Sequence, residues 1–281
     1  MTDESKTFRA ACVQLTSANE VEANIETSSA LIREAANLKA DFVLMPEMVS
    51  LLEMNSKKMF ARVVPQDEDK ALKAYRALAD ELSIWLLAGS LPILTAEGRV
   101  ANRSFLLDAS GRIAATYDKI HLFDVDLPNG ETYRESKNYI PGSAATLART
   151  PWGPLGMSVC YDLRFPYLYR EYAHAGAKYL SIPAAFTKVT GEAHWHVLQR
   201  ARAIENGCFV FAPAQCGKHA DGRTTFGHSL IVDPWGAVLA DGGTEPGVIV
   251  AEIDPAKVDE ARGRVPSLRH DRSIAPPELS A

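Results

Sequence analysis

The chain has 281 residues, of which 47% are hydrophobic and 23% charged, and its net charge at pH 7 is −5. Acidic and basic residues are interspersed, so the sequence lacks the basic patch of a nucleic-acid-binding protein and the biased composition of a disordered or fibrous one. These values indicate a globular protein with enough apolar residues for one large core.

The N-terminus and the cysteines bear on the cellular compartment. The first seven residues are polar and precede a strand-like segment, unlike the basic start and apolar stretch of a signal peptide. No apolar run approaches the length that spans a bilayer. The four cysteines show no CxxC spacing, which argues against a disulfide framework or a zinc knuckle. We therefore expect a cytoplasmic protein without a membrane or nucleic-acid partner.

The first half of the chain alternates strand-like and helical segments. Apolar periodicity predicts helices at 24–40 and 69–84. Strands are predicted at 8–16, 41–46 and 85–94, and a hairpin around a Ser-Gly turn at 103–120.

The second half continues the same alternation and ends in β segments. Helices are predicted at 166–177, where Pro166 suits a first turn, and at 192–207, which ends at Asn206-Gly207. Strands are predicted at 153–159, 178–186, 208–216, 227–233, 237–241 and 247–253.

This alternation is typical of an α/β protein whose helices cover its sheets. No linker or repeat divides the chain, so we expect a single domain over residues 1–281. Residues 263–281 contain three prolines and show no helical period, which predicts an extended C-terminal tail that contacts another subunit.

Three predicted strands end in a chemically reactive side chain: Glu47, Lys119 and Cys160. Strand ends are where α/β folds present catalytic groups. A cysteine that begins a helix also meets the positive end of that helix, which favours the thiolate. With a carboxylate to accept the thiol proton and an ammonium to stabilise an oxyanion, the three residues suit nucleophilic catalysis. Each residue alone has an ordinary structural explanation.

The sequence around these residues resembles the nitrilase superfamily of carbon-nitrogen hydrolases, and the resemblance extends over nearly the whole chain. The three signature segments are "FVLMPEM", "YDKIHLFDVDLP" and "GMSVCYDLRFP", and "ESKNYIPG" is similar to the segment that supplies a second glutamate, Glu135. The resemblance implies a four-layer α-β-β-α sandwich, a homodimer or higher homo-oligomer, and catalysis without a metal or organic cofactor.

The resemblance also implies roles for these residues in amide hydrolysis. Glu47 is the general base, Cys160 the nucleophile and Lys119 the oxyanion stabiliser, and Glu135 orients Lys119 and the substrate. The backbone N–H of Tyr161 completes the oxyanion site, and a thioester intermediate is hydrolysed by water. For that proton shuttle the Glu47 carboxyl is expected to titrate near neutrality.

The second half of the chain resembles the Nit branch of the family, which contains deaminated glutathione amidases and omega-amidases acting on 2-oxoglutaramate. The segments "AQCGKH", "GHSLIVDPWG" and "VPSLRHDR" favour the deaminated glutathione amidases, with the omega-amidases as the alternative. Arg164 is the candidate for holding a substrate carboxylate, with a structural ion pair as an equal alternative. Phe186 and Thr190 resemble residues that line the pocket, although loop packing explains Phe186 as well. Tyr167 stands where the family often has an acidic residue, which leaves the partner of Arg164 open.

Other functions use the same residues. A nitrilase or an N-carbamoyl amino acid amidohydrolase would share the three catalytic groups, a binding protein would keep only the fold, and a redox sensor would use Cys160. His194 and His196 are two residues apart on a predicted helix, so they do not form an i, i+4 metal-binding pair. Many family members have Glu at the position of His196.

Overall fold

The computed structural model describes residues 7–277 and 279. Within them, the helices are α1 (Val21–Asn37), α2 (Ser56–Phe60), α3 (Lys70–Leu82), α4 (Pro166–His174), α5 (Lys188–Asn206) and α6 (Ala256–Arg264). The strands of the first half are β1 (Phe8–Gln14), β2 (Phe42–Leu44), β3 (Trp85–Leu87), β4 (Leu91–Leu94), β5 (Val100–Leu107), β6 (Ile113–Asp118), β7 (Asp124–Asp126), β8 (Thr132–Arg134) and β9 (Tyr139–Ile140). Those of the second half are β10 (Thr146–Thr150), β11 (Gly153–Met157), β12 (Tyr179–Ser181), β13 (Phe209–Ala212), β14 (Cys216–Lys218), β15 (Thr224–Phe226), β16 (Leu230–Val232), β17 (Val238–Asp241) and β18 (Gly247–Ile253).

Most strands belong to two large mixed sheets. The first has the order β18-β1-β2-β3-β5-β4, and β6 and β9 also pair with β5. The second has the order β10-β11-β12-β13-β16-β17. In the centre of each sheet the strands are parallel, β1 with β2 and β3, and β11 with β12 and β13. The carboxyl ends of these central strands therefore carry the loops that shape the site.

The two sheets pack face to face. The ring of Phe211 in the second sheet lies 6.1 Å from that of Phe42 and 6.5 Å from that of Phe8, both in the first sheet. Along β1, Cys12 belongs to this inter-sheet core, whereas its neighbour Val13 packs with the helices α1 and α3. A strand buried on both faces explains the continuous apolar run that the sequence shows there.

Helices cover the outer faces of both sheets, which completes the predicted four-layer α-β-β-α sandwich. Ile32 of α1 and Leu72 of α3 pack on the first sheet. On the second sheet α4 lies directly against β11, where a Cβ atom at Gly156 would be 2.7 Å from the ring of Tyr172. Among the described residues, no helix is both long and apolar enough to cross a membrane.

The predicted strand at 85–94 is wrong, because it divides into β3 and β4. Gly89 lies between them with a φ of +52°, and a Cβ there would lie 1.9 Å from the carbonyl oxygen of Pro46. Only glycine tolerates both the left-handed conformation and this close approach. The break brings the chain against the loop that carries Glu47.

The C-terminal segment is less extended than predicted. Helix α6 includes Gly263 and Arg264, and a 3₁₀ turn follows at Ser267–Arg269. Residues 271–277 have no regular structure, and Asp271 accepts hydrogen bonds from Arg170 and His174 of α4. Residues 278, 280 and 281 of the predicted tail lie outside the described part.

Candidate active site

Four of the candidate residues meet in one pocket of about 330 Å³. Glu47 follows β2, Lys119 follows β6, Cys160 follows β11, and Glu135 begins a 3₁₀ turn directly after β8. The pocket volume lies at the lower end of the range for small-molecule sites. Segments that are far apart in the sequence are thus brought together by the two sheets.

The Glu47 carboxylate is almost fully buried and is held by three donors. Its Oε1 accepts hydrogen bonds from Lys119 Nζ at 2.9 Å and from Asn102 Nδ2 at 2.9 Å. Its Oε2 accepts one from the backbone N–H of Ala185 at 2.9 Å. Gln215 anchors the same residue through its backbone, donating to the Glu47 carbonyl at 2.9 Å. The carboxylate is therefore fixed in one orientation.

Lys119 lies between two carboxylates. Besides Glu47, its Nζ donates to Oε2 and Oε1 of Glu135 at 2.8 and 3.1 Å. The Glu135 carboxylate is oriented in turn by the backbone N–H of Phe123, 2.6 Å from Oε2. The ammonium group is only 2% exposed, so both ion pairs lie in a low-dielectric region. Glu135 thereby holds Lys119 within reach of the thiol.

Cys160 occupies a sharp turn between β11 and α4. Its φ is +49°, a left-handed conformation that is uncommon for a residue other than glycine. Its backbone N–H donates to the carbonyl of Pro183 at 2.9 Å, which ties the turn to the loop after β12. Met48, next to the Glu47 carboxylate, has a φ of +55°. Such backbone strain is concentrated at functional sites, where it positions a side chain.

Cys160 is a protonated thiol in the resting site. Burial and the adjacent Glu47 carboxylate raise the pKa of the Cys160 thiol well above its usual value. The expectation that the following helix favours the thiolate is therefore wrong, because that helix is a short 3₁₀ turn, Cys160–Arg164, and burial together with the carboxylate outweighs it.

The charge of Glu47 differs from the sequence expectation as well. Burial alone would raise the pKa of Glu47, but Lys119, the hydrogen bond from the Cys160 thiol and Arg223 bring it below its ordinary 4.5. The carboxyl therefore does not titrate near neutrality in the resting site. Burial opposes the charge of Lys119, but the two glutamates raise its pKa well above 10.5. The resting site holds a thiol, two carboxylates and an ammonium group.

Tyr161 follows Cys160 at the start of the 3₁₀ turn. No backbone acceptor for its N–H is found in residues 7–277. An N–H group in the first turn of a helix has no partner within that helix, which leaves it available to an oxyanion. Together with Lys119 Nζ, it offers two donors near the sulfur.

Phe186 and Thr190 both line the pocket. Phe186 is buried and packs against Trp195 with ring centroids 4.9 Å apart. The Thr190 hydroxyl pairs with that of Thr187, the N-cap of α5, at 2.8 Å. Phe186 therefore has both of the roles that the sequence left open, lining the pocket and packing its loop.

Arg164 does not line the pocket. Its guanidinium lies over the rings of Phe186 and Tyr161, 5.2 and 6.0 Å from their centroids, and 3.3 Å from Nδ1 of His194. Among the described residues Arg164 stacks on aromatic rings and forms no ion pair, so stacking takes the place of the predicted structural ion pair. Its contact with a substrate carboxylate stays a prediction. The Tyr167 hydroxyl instead contacts Nε2 of His121, whose Nδ1 lies 2.7 Å from the buried carboxylate of Asp162.

Arg223 lines the pocket and was missed by sequence reasoning, as were Arg134 and Lys137, which line it too. Arg223 stacks over the ring of Tyr133 at 5.3 Å and donates to the carbonyl of Ala185. Its Nε is buried and has no partner within the described residues. The segment "DGRTTFG" reads as an ordinary turn, and no local signal marks this arginine. Asn102, in the middle of β5, was missed for the same reason.

The arrangement suits attack of a thiol on a planar carbonyl. The buried ionised carboxylate of Glu47 can accept the thiol proton, and the Lys119 ammonium and the Tyr161 N–H can stabilise an oxyanion. Arg223 adds a positive charge on another wall of the same pocket. The described residues of the pocket thus provide a base, a nucleophile and an anion-binding group.

Comparison with known proteins gives consistent matches. The carbon-nitrogen hydrolase family model matches residues 9–263. The deaminated glutathione amidase of Synechocystis sp. (strain PCC 6803 / GT-S) is 40% identical over 270 residues, which cover 94% of this chain and 98% of that protein. The solved structure of the C. elegans NitFhit protein is similar with a TM-score of 0.89 and 37% identity, over 95% of this chain and 66% of that longer chain. Saccharomyces cerevisiae Nit3, a member of branch 10 of the nitrilase superfamily, is similar with a TM-score of 0.84 and 29% identity, over 93% and 95% of the two chains.

Proposed function

The chain belongs to the carbon-nitrogen hydrolase family and hydrolyses carbon–nitrogen bonds other than peptide bonds, and on that premise we propose that its substrate is deaminated glutathione. This compound is an amide between a 2-oxo dicarboxylic acid and cysteinylglycine, so it carries a carboxylate at each end. Relatives that are about 40% identical over nearly the whole chain bear the name deaminated glutathione amidase.

Catalysis begins with the thiol proton. Glu47 accepts it as the Cys160 sulfur attacks the amide carbon, and the carbonyl oxygen becomes an oxyanion between Lys119 Nζ and the Tyr161 N–H. The tetrahedral intermediate collapses when Glu47 returns the proton to the amide nitrogen, and the amine leaves. Because the resting thiol is protonated and Glu47 is ionised, the proton moves only with bond formation.

The second half of the reaction uses the same groups. Glu47, again ionised, takes a proton from water, which attacks the thioester carbon of the acylated Cys160. The oxyanion occupies the same two donors, and the thiol leaves with the proton held by Glu47. Glu135 touches Lys119 rather than the reacting atoms, and it acts by keeping that ammonium in place.

Arg223 is the single observation that carries the choice of an anionic substrate. Its guanidinium lies in the pocket, and no carboxylate of the described residues forms a salt bridge with it. Arg223 is half-buried, and its buried, unsatisfied Nε gains most from a bidentate carboxylate partner. The substrate carboxylate supplies that partner and directs the amide towards Cys160.

The test compares Arg223→Met with Arg164→Met on deaminated glutathione and on a neutral aliphatic amide. Hydrogen bonds to a charged group contribute about 1.5–3 kcal/mol, so Arg223→Met lowers kcat/KM for the anionic amide roughly 10- to 150-fold. For the neutral amide, kcat/KM of Arg223→Met changes little. Arg164→Met lowers kcat/KM for both amides by the same factor. Equal losses for both amides in Arg223→Met would overturn the proposal. Faster turnover of 2-oxoglutaramate or of a nitrile than of deaminated glutathione would assign the chain to an omega-amidase or a nitrilase.

We also propose that residues 1–281 act as one hydrolase unit that pairs with a second copy of itself. Large apolar side chains are exposed on α5, at Val197 and Ile204, and on the C-terminal segment, at Val265 and Ile274. Exposed apolar side chains of this kind are typical of surfaces that bind another protein chain. Light scattering of the whole chain is expected to give the mass of a dimer or a larger oligomer. The double variant Val197→Ser, Ile204→Ser is expected to weaken the association between copies. A monomer at all concentrations contradicts the pairing. The cytoplasmic location stays a prediction.

A further inference from the structure

Two histidines and an aspartate form a cluster outside the catalytic pocket. His196 lies on α5, His228 just before β16, and Asp241 at the end of β17. Nε2 of His196 is 2.9 Å from Oδ2 of Asp241, and Nδ1 of His228 is 2.9 Å from Oδ1 of the same carboxylate. One potential ligand atom from each residue lies within 4.8 Å of the other two.

The surrounding backbone holds the three side chains in place. His228 has a φ of +53°, its N–H donates to the Gly243 carbonyl at 2.6 Å, and its carbonyl accepts from Trp195 Nε1 at 2.7 Å. The Phe226 ring stacks on its imidazole with centroids 4.5 Å apart. Asp241 Oδ1 accepts from the Gly243 N–H at 2.9 Å. Neighbouring groups that fix the ligands are typical of metal sites.

The geometry points to a binding site for one divalent transition-metal ion, such as Zn²⁺, held by His196, His228 and Asp241. Zinc bonds to nitrogen and oxygen of about 2.1 Å in a tetrahedral site place ligand atoms ~3.4 Å apart. Small side-chain movements therefore suffice to convert the present hydrogen bonds into metal bonds. Two imidazoles and a carboxylate are a donor set that divalent zinc, nickel and copper accept.

The Asp241 carboxylate is oriented towards both imidazoles. Its oxygens accept hydrogen bonds from His196, His228 and the Gly243 N–H, each at 2.9 Å. Each imidazole needs only its neutral form with the proton on the other ring nitrogen. The side chains of His196 and Asp241 are 37% and 34% exposed, so an ion can enter from solvent, and water completes its coordination.

The bound ion would tie α5 to the edge of the second sheet. None of the three ligands lines the catalytic pocket, and no step of amide hydrolysis uses them. The site therefore adds a structural cross-link to an enzyme whose catalysis runs without it. The three ligands come from three separate segments, so the spacing of His194 and His196 in the sequence did not indicate this metal site.

The test measures zinc bound to the whole chain in a Cys160→Ala background, which removes the catalytic thiol as a competing ligand. Equilibrium dialysis with metal analysis is expected to give one zinc per chain, and cobalt substitution is expected to give the visible absorption of a tetrahedral site. His196→Gln and Asp241→Asn each lower the affinity at least 10-fold. His194→Gln, two residues along the same helix, leaves it unchanged.

Thermal unfolding supplies a second readout, since a ligand that binds only the folded state raises Tm. Zinc is expected to raise Tm in the Cys160→Ala and His194→Gln proteins but not in His196→Gln or Asp241→Asn. Measured without metal, the Tm of each variant shows whether it folds. Absence of bound zinc, or an equal loss in His194→Gln, would overturn the proposal and leave the cluster as a hydrogen-bonded His–Asp–His arrangement.

Discussion

Replacing Glu47 by glutamine changes one atom of the site and separates its charge from its shape. The carboxylate accepts from Lys119 and Asn102 on Oε1 and from the Ala185 N–H on Oε2. A glutamine oxygen can keep the first two bonds, but its NH₂ group then faces the Ala185 N–H, and two donors oppose each other. Lys119 keeps Glu135 as its only ionised partner within the described site.

The expected loss follows from the role of a base. A positioned general base contributes about 10²- to 10⁴-fold to the rate, which corresponds to about 2.7–5.4 kcal/mol of barrier. Because the pKa of the Cys160 thiol is raised, little thiolate exists to attack without Glu47. We therefore expect kcat/KM of Glu47→Gln to fall by at least 10²-fold, with a loss of stability of about 1–3 kcal/mol from the opposed donors.

The assay is rapid-quench measurement of amine release and acid release with deaminated glutathione. Glu47→Gln is expected to slow the first release as much as the second, since the same carboxylate serves both steps. Glu53→Gln is the matched control: Glu53 lines the same pocket but accepts from the Asn55 N–H at the rim. An activity of Glu47→Gln within 10-fold of the parent, or an equal loss in Glu53→Gln, would refute the reasoning.

Four further predictions concern the charges of the site and contacts elsewhere in the fold. Because the pKa of Glu47 is lowered and that of Lys119 is raised, kcat/KM is expected to be level through neutral pH and to fall only in acid; a midpoint near pH 7 contradicts the assignment. The stabilisation from Glu47 is present above its unfolded pKa and is lost as pH falls through the folded value, which acid unfolding followed by circular dichroism measures. Gly89→Ala forces a Cβ against Pro46 and is expected to cost more than about 1 kcal/mol in urea unfolding; an unchanged midpoint counts against the close approach. Asp162→Asn weakens bonds from Tyr117 and the Val159 N–H and is expected to cost about 1–3 kcal/mol, with activity lost in parallel; full stability shows that the buried carboxylate is dispensable.

The parts of the site that sequence reasoning predicted are those that local patterns mark. Glu47, Lys119 and Cys160 each follow a strand that the sequence pattern predicts. The alternation of strands and amphipathic helices predicted the α/β class, and the resemblance to the nitrilase superfamily implied the four-layer arrangement. Helix α5 ends at the predicted position because Gly207 follows it in the left-handed conformation that stops a helix.

The parts that were missed depend on contacts between distant segments. Asn102 lies in the middle of a strand, and only the folded sheet brings it to Glu47, 55 residues away. Arg223 reads as a turn residue until the hairpin places it over Tyr133. The break at Gly89 depends on the carbonyl of Pro46. Helix α6 has few apolar residues, so its periodicity is weak, and it is stabilised by burial of Val258 rather than by a sequence signal.

Trapping the acylated enzyme tests the central claim most directly. Mixing the protein with deaminated glutathione and quenching in acid within the first turnover is expected to leave a 2-oxoglutaryl group on the peptide that contains Cys160, as mass spectrometry of a digest would show. Cys160→Ala is expected to carry no adduct and to have no activity. Turnover by Cys160→Ala, or an acyl group on any other residue, would contradict the account.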